Sequence, residues 1–173
     1  LAQTRKDVQQ LNRELQRLNN PPSSEKAEVQ PPANKKEVPI PWREGDVVMA
    51  TCNEKSSPLE YLYANGEQGK IVRVDGQALW VEFKFGEPQR FPVSTDDILH
   101  AWAMTVHKYQ GSETSHAIIV MDMCAKYQTR EALYTAATRG SKSVTIHGDK
   151  DTLDAALEHS SRASRRTTLS ESL

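Results

Sequence analysis

Six of the nine prolines fall between Pro21 and Pro41, and this clustering constrains the chain more than any other feature. The stretch NPPSSEKAEVQPPANKKEVPIP has almost no large apolar side chains. It cannot bury enough surface to offset the entropy of ordering, so residues 21–41 read as an extended or mobile connector. The connector separates a short first segment, residues 1–20, from a longer folded part, and 173 residues suffice for one domain or two small ones. Charge is nearly balanced, with 22 Lys and Arg against 23 Asp and Glu. That excludes a bulk polybasic nucleic-acid binder but leaves room for a local basic site. No run approaches the ~18 apolar residues of a membrane helix. The opening LAQTRKDVQQ has neither a secretory apolar core nor an initiator Met, which reads as a cytoplasmic fragment or processed product. Two cysteines, Cys52 and Cys124, are too few for a disulfide framework or a four-ligand zinc site; they read as reduced core thiols. No metal site is expected.

The hydrophobic pattern changes period along the chain. Val8, Leu11, Leu15 and Leu18 form one apolar stripe, predicting an N-terminal helix with Asp7 as its N-terminal charge or cap and Asn19, Asn20 and Pro21 as its stop. Leu1 to Gln3 reads as the end of a strand. From Gly45 to Leu99 the period is two. Val47 and Met49 alternate before a polar loop; Gly69–Val74 and Ala78–Phe85 form strands joined by Asp75-Gly76, a type I′ hairpin signal. Leu79, Val81, Phe83 and Phe85 should share one face, with Trp80 opposite. Arg90–Val93 adds a short strand. Short strands packed this closely predict a small barrel over residues 42–99, since closure removes exposed edges.

After His100, strands and helices alternate. Ala101–Val106 and Ala117–Met121 read as buried strands, the latter apolar on both faces as a parallel sheet requires. Arg130–Thr138 and Asp151–His159 read as helices and Ser143–His147 as a strand. Residues 100–160 are thus part of an α/β fold with a parallel sheet, followed by a C-terminal tail, 161–173. Ligand sites in such sheets sit at the carboxyl ends of strands, which selects the turn after Val106.

That turn, Thr105–Glu113 (TVHKYQGSE), gathers a hydroxyl, an imidazole, an ammonium, an amide, a glycine and a carboxylate. Gly111 lets a ligand approach the backbone, Thr105 and His107 can donate to phosphate oxygens, and Glu113 suits a sugar hydroxyl. A polar loop capping a short helix is the plain alternative. In ALYTAATRGSK, Ala132–Lys142, Arg139 ends a helix with small residues before it. It could reach a γ-phosphate, or merely satisfy terminal helix carbonyls. Thr4, Arg5 and Lys6 could meet phosphate or form a solvated helix start. Arg162, Arg165 and Arg166 read as tail. Trp102 reads as core, and Trp80 is the aromatic most able to stack on a base. The chain has no GxxxxGK[ST] phosphate loop, HExxH, CxxC or GxSxG, so it should not bind or hydrolyse a nucleoside triphosphate productively by itself.

These residues resemble a known family. AWAMTVHKYQGSE is similar to motif V, and ALYTAATRG to motif VI, of superfamily 1 DNA helicases, in the same order and spacing. The strongest resemblance is to RecD-like helicases, which move 5′ to 3′ on single-stranded DNA. LNRELQRLNNPP followed by WREGDVVMATCN, then NGEQGKIVRVD, resembles the lead into their inserted barrel and its first hairpin, and RRTTLSESL resembles their C-terminal end. The resemblance implies a partial RecA-like motor domain, 2A, interrupted by an SH3-like β-barrel, 2B. It implies an upstream domain 1A carrying the phosphate loop and most of the contacts to ATP and Mg²⁺. It implies Arg139 as the catalytic arginine, Gly111, Glu113 and Gln110 beside ATP, and Arg5 there through the weaker motif IV. Thr105 and His107 would contact DNA, with Lys108, Tyr109 and Trp80 as further DNA candidates. Single-stranded DNA, domain 1A and further replication or recombination proteins are the implied partners. The family usually has a small residue in place of Tyr109 and Ala in place of Gly140. A DNA- or protein-binding module without a motor, the helicase half of a conjugative relaxase, and a motor half that has lost turnover are the competing readings.

Overall fold

The computed structural model describes residues 1–32, 39–57, 60–121 and 129–159. The element order is α1 (Arg5–Asn19), β1 (Glu28–Val29), β2 (Trp42–Arg43), β3 (Val47–Ala50), β4 (Glu54–Ser57), β5 (Glu60–Tyr63), β6 (Gln68–Val74), β7 (Ala78–Glu82), β8 (Gln89–Pro92), β9 (Ile98–His100), β10 (Thr114–Val120), α2 (Arg130–Ala137), β11 (Gly140–His147) and α3 (Lys150–Glu158). Two compact units result: Leu1–Val8 with the chain from Met104 onward, and Gln9–Ala103.

In the second unit the strands form an antiparallel sheet of order β8-β7-β6-β3-β9. Ile71, Leu79, Val81, Phe91 and Ile98 fill its core, and Tyr63 stacks on Phe83 with centroids 4.9 Å apart. The sheet is observed as an open half-barrel: β8 and β9 end it without pairing to each other among the described residues. Glu54–Ser57 and Glu60–Tyr63, expected as polar loop, form a separate two-stranded ribbon. The hairpin after β6 is real, but its turn is not type I′. That type needs positive φ at both central residues, and here only Gly76 has it, at 72°. Asp75 N–H instead closes the loop on Ala78 O at 3.0 Å. β7 also ends earlier than expected, at Glu82, so Phe85 leaves the apolar row and is 74% exposed. The proline-rich connector is partly tied down: β1 pairs with β2, and Glu28 bridges Arg43.

Helix α1 has an N-terminal cap, but it is Thr4 that supplies it. Thr4 Oγ1 accepts from Asp7 N–H at 3.2 Å and donates to the Asp7 carboxylate. The buried face is not the aliphatic stripe. Leu18 is 77% exposed, whereas Asn12, Gln16 and Asn20, spaced four residues apart, are buried. They are buried because backbone and a carboxyl group need them. Asn12 bonds both peptide groups of Ala103, Nδ2 to O at 3.0 Å and N–H to Oδ1 at 2.8 Å. Gln16 donates to Pro41 O and Asp46 Oδ2, each at 2.7 Å, and Asn20 donates to Asp46 Oδ1 at 2.7 Å. This explains why Ala101–Met104 is not a regular strand: a side chain, not a neighbouring strand, satisfies Ala103. Trp102 is only half-buried, and among the described residues its Nε1 lies buried without a hydrogen-bond partner.

In the first unit β10 and β11 pair in parallel, Ala117 opposite Val144 and Ile119 opposite Ile146. Residues 1–2 run alongside them. Leu1 O accepts from Val120 N–H at 2.9 Å, and Ala2 bonds Met104 O and Val106 N–H at 3.0 and 3.1 Å. Val106, Ile119, Met121, Leu133, Ala136 and Ala156 form the core. Thr129 and Asp149 cap α2 and α3. Among the described residues the two-sided burial expected of β10 is not seen: Ile119 is buried but its neighbour Ile118 is 59% exposed. Cys52 is free and half-buried, its thiol pushed up by burial and by the Asp97 carboxylate. Cys124 and the tail arginines Arg162, Arg165 and Arg166 lie outside the described residues. Among the described residues no helix is long and apolar enough to cross a membrane, and no cluster of metal-ligating side chains occurs.

His100 stacks on Trp42, centroids 4.1 Å apart, with Nδ1 3.8 Å from Asp46 Oδ2. Burial lowers its imidazole from 6.5 to about 4, outweighing the opposing pull of the Asp46 carboxyl. Between these values the unfolded chain binds the proton more tightly than the folded one. Stability conferred by neutral His100 is therefore complete above pH 6.5 and is lost as pH falls toward 4. Urea unfolding across this window should show a decline of at most about 3 kcal/mol from this group, and His100→Gln should flatten that slope.

Candidate functional site

The strand-end turn folds around its own backbone. Thr105 joins Ala2 in a parallel bridge, and its Oγ1 then accepts from Lys108 N–H at 3.2 Å. Tyr109 N–H bonds Thr105 O, Gln110 N–H bonds His107 O, and Ser112 N–H bonds Tyr109 O, at 3.1, 3.2 and 3.1 Å. These successive turns push His107, Lys108, Gln110, Gly111 and Glu113 to the surface. Gly111 has φ +91°, and among the described residues nothing lies within 4 Å of where its Cβ would be. Its backbone therefore faces open space a ligand can enter. Tyr109 is different: it is 7% exposed, and its hydroxyl donates to Glu113 O at 3.1 Å.

Arg139 comes to this turn from the end of α2. Its Nη1 donates to Ser112 O at 3.3 Å, its Nε to Thr135 O at 3.1 Å and its Nη2 to Thr138 Oγ1 at 3.1 Å. Its own carbonyl accepts from Thr114 N–H at 2.9 Å. So Arg139 both caps its helix and sits against the turn bearing Gly111 and Glu113. Every one of these guanidinium acceptors is neutral, which leaves the cation able to exchange them for an anion. Arg5 lies exposed in the first turn of α1.

In the other unit, Trp80 is half-buried on the sheet face opposite the core row. Its Nε1 donates to Asp75 Oδ2 at 3.2 Å, and the Arg73 guanidinium lies 5.3 Å from its ring centroid. Register sets Trp80 between Arg73 on β6 and Arg90 on β8. The sequence did not reveal this Arg-Trp-Arg row, because an irregularity between Ile71 and Arg73 shifts the pairing. The carbonyl of Ser112 as a partner for Arg139 was equally hidden, since no side-chain pattern marks it.

Residues 100–147 match the model of the UvrD-like helicase C-terminal domain. The chain is 30% identical over 120 residues to the RecBCD enzyme subunit RecD of Mycolicibacterium smegmatis, covering 68% of this chain and 20% of that protein. It is 39% identical over 95 residues to DNA helicase B of Mus musculus, covering 55% and 8%. The Pif1 helicase from Bacteroides, solved with ADP-AlF3 and single-stranded DNA, superposes with a TM-score of 0.61 at 18% identity, over 86% of this chain and 39% of that one. Together these matches make the chain similar to the C-terminal part of the superfamily 1 RecD-like helicases. It spans about a fifth of the length of its RecD relative.

One departure from the helicase pattern now has a physical reason. A Cβ on Gly140 would lie 2.5 Å from Ser143 O and 2.8 Å from Val144 Cγ2, so the bend from α2 into β11 admits no side chain. Gly140→Ala, although it restores the residue usual in these helicases, should therefore cost ~1–3 kcal/mol by overpacking. A thermal unfolding comparison checks this; an unchanged midpoint would mean the bend relaxes freely.

Proposed function

We propose that this chain is the C-terminal motor half of an ATP-dependent DNA helicase moving 5′ to 3′. One observation carries the reading: the Arg139 guanidinium bonds the Ser112 carbonyl, bringing the motif VI-like helix end against the motif V-like turn. In this reading residues 1–20 and 100–160 are RecA-like domain 2A, residues 21–41 its linker, residues 42–99 the SH3-like barrel 2B, and residues 161–173 the tail. ATP lies between 2A and an upstream domain 1A. Open space at Gly111 and the neutral partners of Arg139 suit the sugar and γ-phosphate edge of that nucleotide. Mg²⁺ and most phosphate contacts belong to domain 1A.

Arg139 then supplies positive charge to the phosphoryl group as it transfers. Glu113 faces the sugar, Gln110 links nucleotide and DNA sites, and Arg5 assists from α1. Thr105, His107 and Lys108 hold the DNA backbone, while Trp80, flanked by Arg73 and Arg90, stacks on a base of the single strand. ATP bridging domain 1A and Arg139 favours a closed cleft, and its hydrolysis removes the bridge. Alternation between two grips on DNA converts that into a step. Replication, repair or recombination proteins complete the set of proposed partners. A cytoplasmic location fits this role.

Single-stranded-DNA-stimulated ATP hydrolysis by the full-length helicase carrying this chain tests the reading. Arg139→Ala should lower turnover by at least ~10³ with DNA binding retained. Undiminished hydrolysis would reduce Arg139 to a helix cap and favour a binding module. Trp80→Ala should weaken single-stranded DNA binding by ~1–3 kcal/mol, read by fluorescence anisotropy. Unchanged affinity would remove the sheet face from the DNA path.

A further inference from the structure

We infer that Tyr109 is a positioning residue for the nucleotide side of the site, holding the Gly111–Glu113 turn in place when Arg139 lets go of it. The inference rests on the motor reading above for its kinetic consequence, but its structural part stands on the turn alone. Two successive carbonyls in this turn are held by side chains. Ser112 O accepts from Arg139 Nη1 at 3.3 Å, and Glu113 O accepts from the Tyr109 hydroxyl at 3.1 Å. The Tyr109 backbone is tied into the same turn, its N–H to Thr105 O and its carbonyl to Ser112 N–H, both at 3.1 Å. Tyr109 thus spans the turn from its first residue to its last.

The two struts differ in permanence. A guanidinium that turns toward a phosphate gives up its neutral carbonyl, because an anionic acceptor adds a charge–charge attraction that a carbonyl cannot supply. The Ser112 bond is then lost at the moment the turn must stay put. Gly111, at φ +91°, is the softest link in it. The phenol hydroxyl does not depend on Arg139 and keeps Glu113 O fixed through the change. The burial of the ring, 7% exposed, also removes it from stacking on a base.

Tyr109→Phe removes the hydroxyl and keeps the ring that fills the space. In the full-length helicase, two readouts apply: amide hydrogen exchange at Ser112 and Thr114, and steady-state ATPase kinetics with single-stranded DNA. Loss of one neutral hydrogen bond should speed exchange roughly 3- to 10-fold and raise the KM for ATP by a similar factor. The kcat and the half-saturating DNA concentration should stay within about twofold. Unchanged exchange and KM would overturn the inference. So would a change confined to the DNA concentration, which would put the hydroxyl on nucleic acid. Arg139→Ala, run in parallel, separates the two ideas. If that variant keeps full turnover the motor reading fails, while exchange in Tyr109→Phe still judges the strut.

Discussion

A carboxyl group with no exposed surface organises the larger unit. Asp46 takes hydrogen bonds from Gln16 Nε2 and Asn20 Nδ2, each at 2.7 Å, and from Arg43 N–H at 2.9 Å. Burying such a group without partners would cost several kcal/mol, so its position dictates what surrounds it. Two helix residues four apart must present amides, the chain entering the sheet must turn so that Arg43 N–H points inward, and Ile71 N–H bonds the Asp46 carbonyl at 2.9 Å. Helix, connector end and central strand β6 meet on this residue. A hydrophobic contact could bring them together, but only directional bonds set their register.

That constraint explains what was legible in the sequence and what was not. Periodicity located α1, β3, β6, β7, β8, β10 and both later helices, because each has one face against a core. It misassigned the buried face of α1. Aliphatic spacing at Val8, Leu11, Leu15 and Leu18 is visible in one dimension, whereas the need for Asn12, Gln16 and Asn20 arises from Asp46 and Ala103, far away in the chain. The strand expected over Ala101–Val106 is absent for the same reason. An apolar run predicts burial correctly, but whether its backbone pairs with a strand or with Asn12 is decided in three dimensions. The type I′ turn failed because an Asp-Gly pair permits several turns, and only the observed closing pair, Asp75 with Ala78, selects one.

Two segments of the candidate site are marked in the sequence. Gly111, Thr105 and Arg139 were marked by residue type and by their place at element ends, and the structure brings the two segments into contact through a backbone carbonyl. What stayed hidden was which side chains face outward. Tyr109 is a polar-tipped aromatic in a polar turn, a pattern compatible with exposure. Its hydroxyl nevertheless finds a carbonyl only four residues on, and the ring follows it into the interior. Trp80 was legible as facing away from the core, but its arginine neighbours required the cross-strand register.

Helix cap and the proposed phosphate ligand are rival roles for Arg139 in the sequence, yet the geometry makes them compatible. The Nε and Nη2 bonds go to Thr135 O and Thr138 Oγ1, within the helix end itself, while Nη1 alone reaches across to Ser112. A guanidinium is a planar fork with donors on more than one edge, so one edge can stay anchored while the other changes partner. Anchoring through the helix end limits the number of positions the cation can take. It therefore lowers the entropy lost when an anion arrives, which is what positions a charge for a transfer reaction. On the motor reading proposed above, the cap is the device that keeps the arginine ready; a lysine ammonium has no second planar edge that stays anchored while the first changes partner.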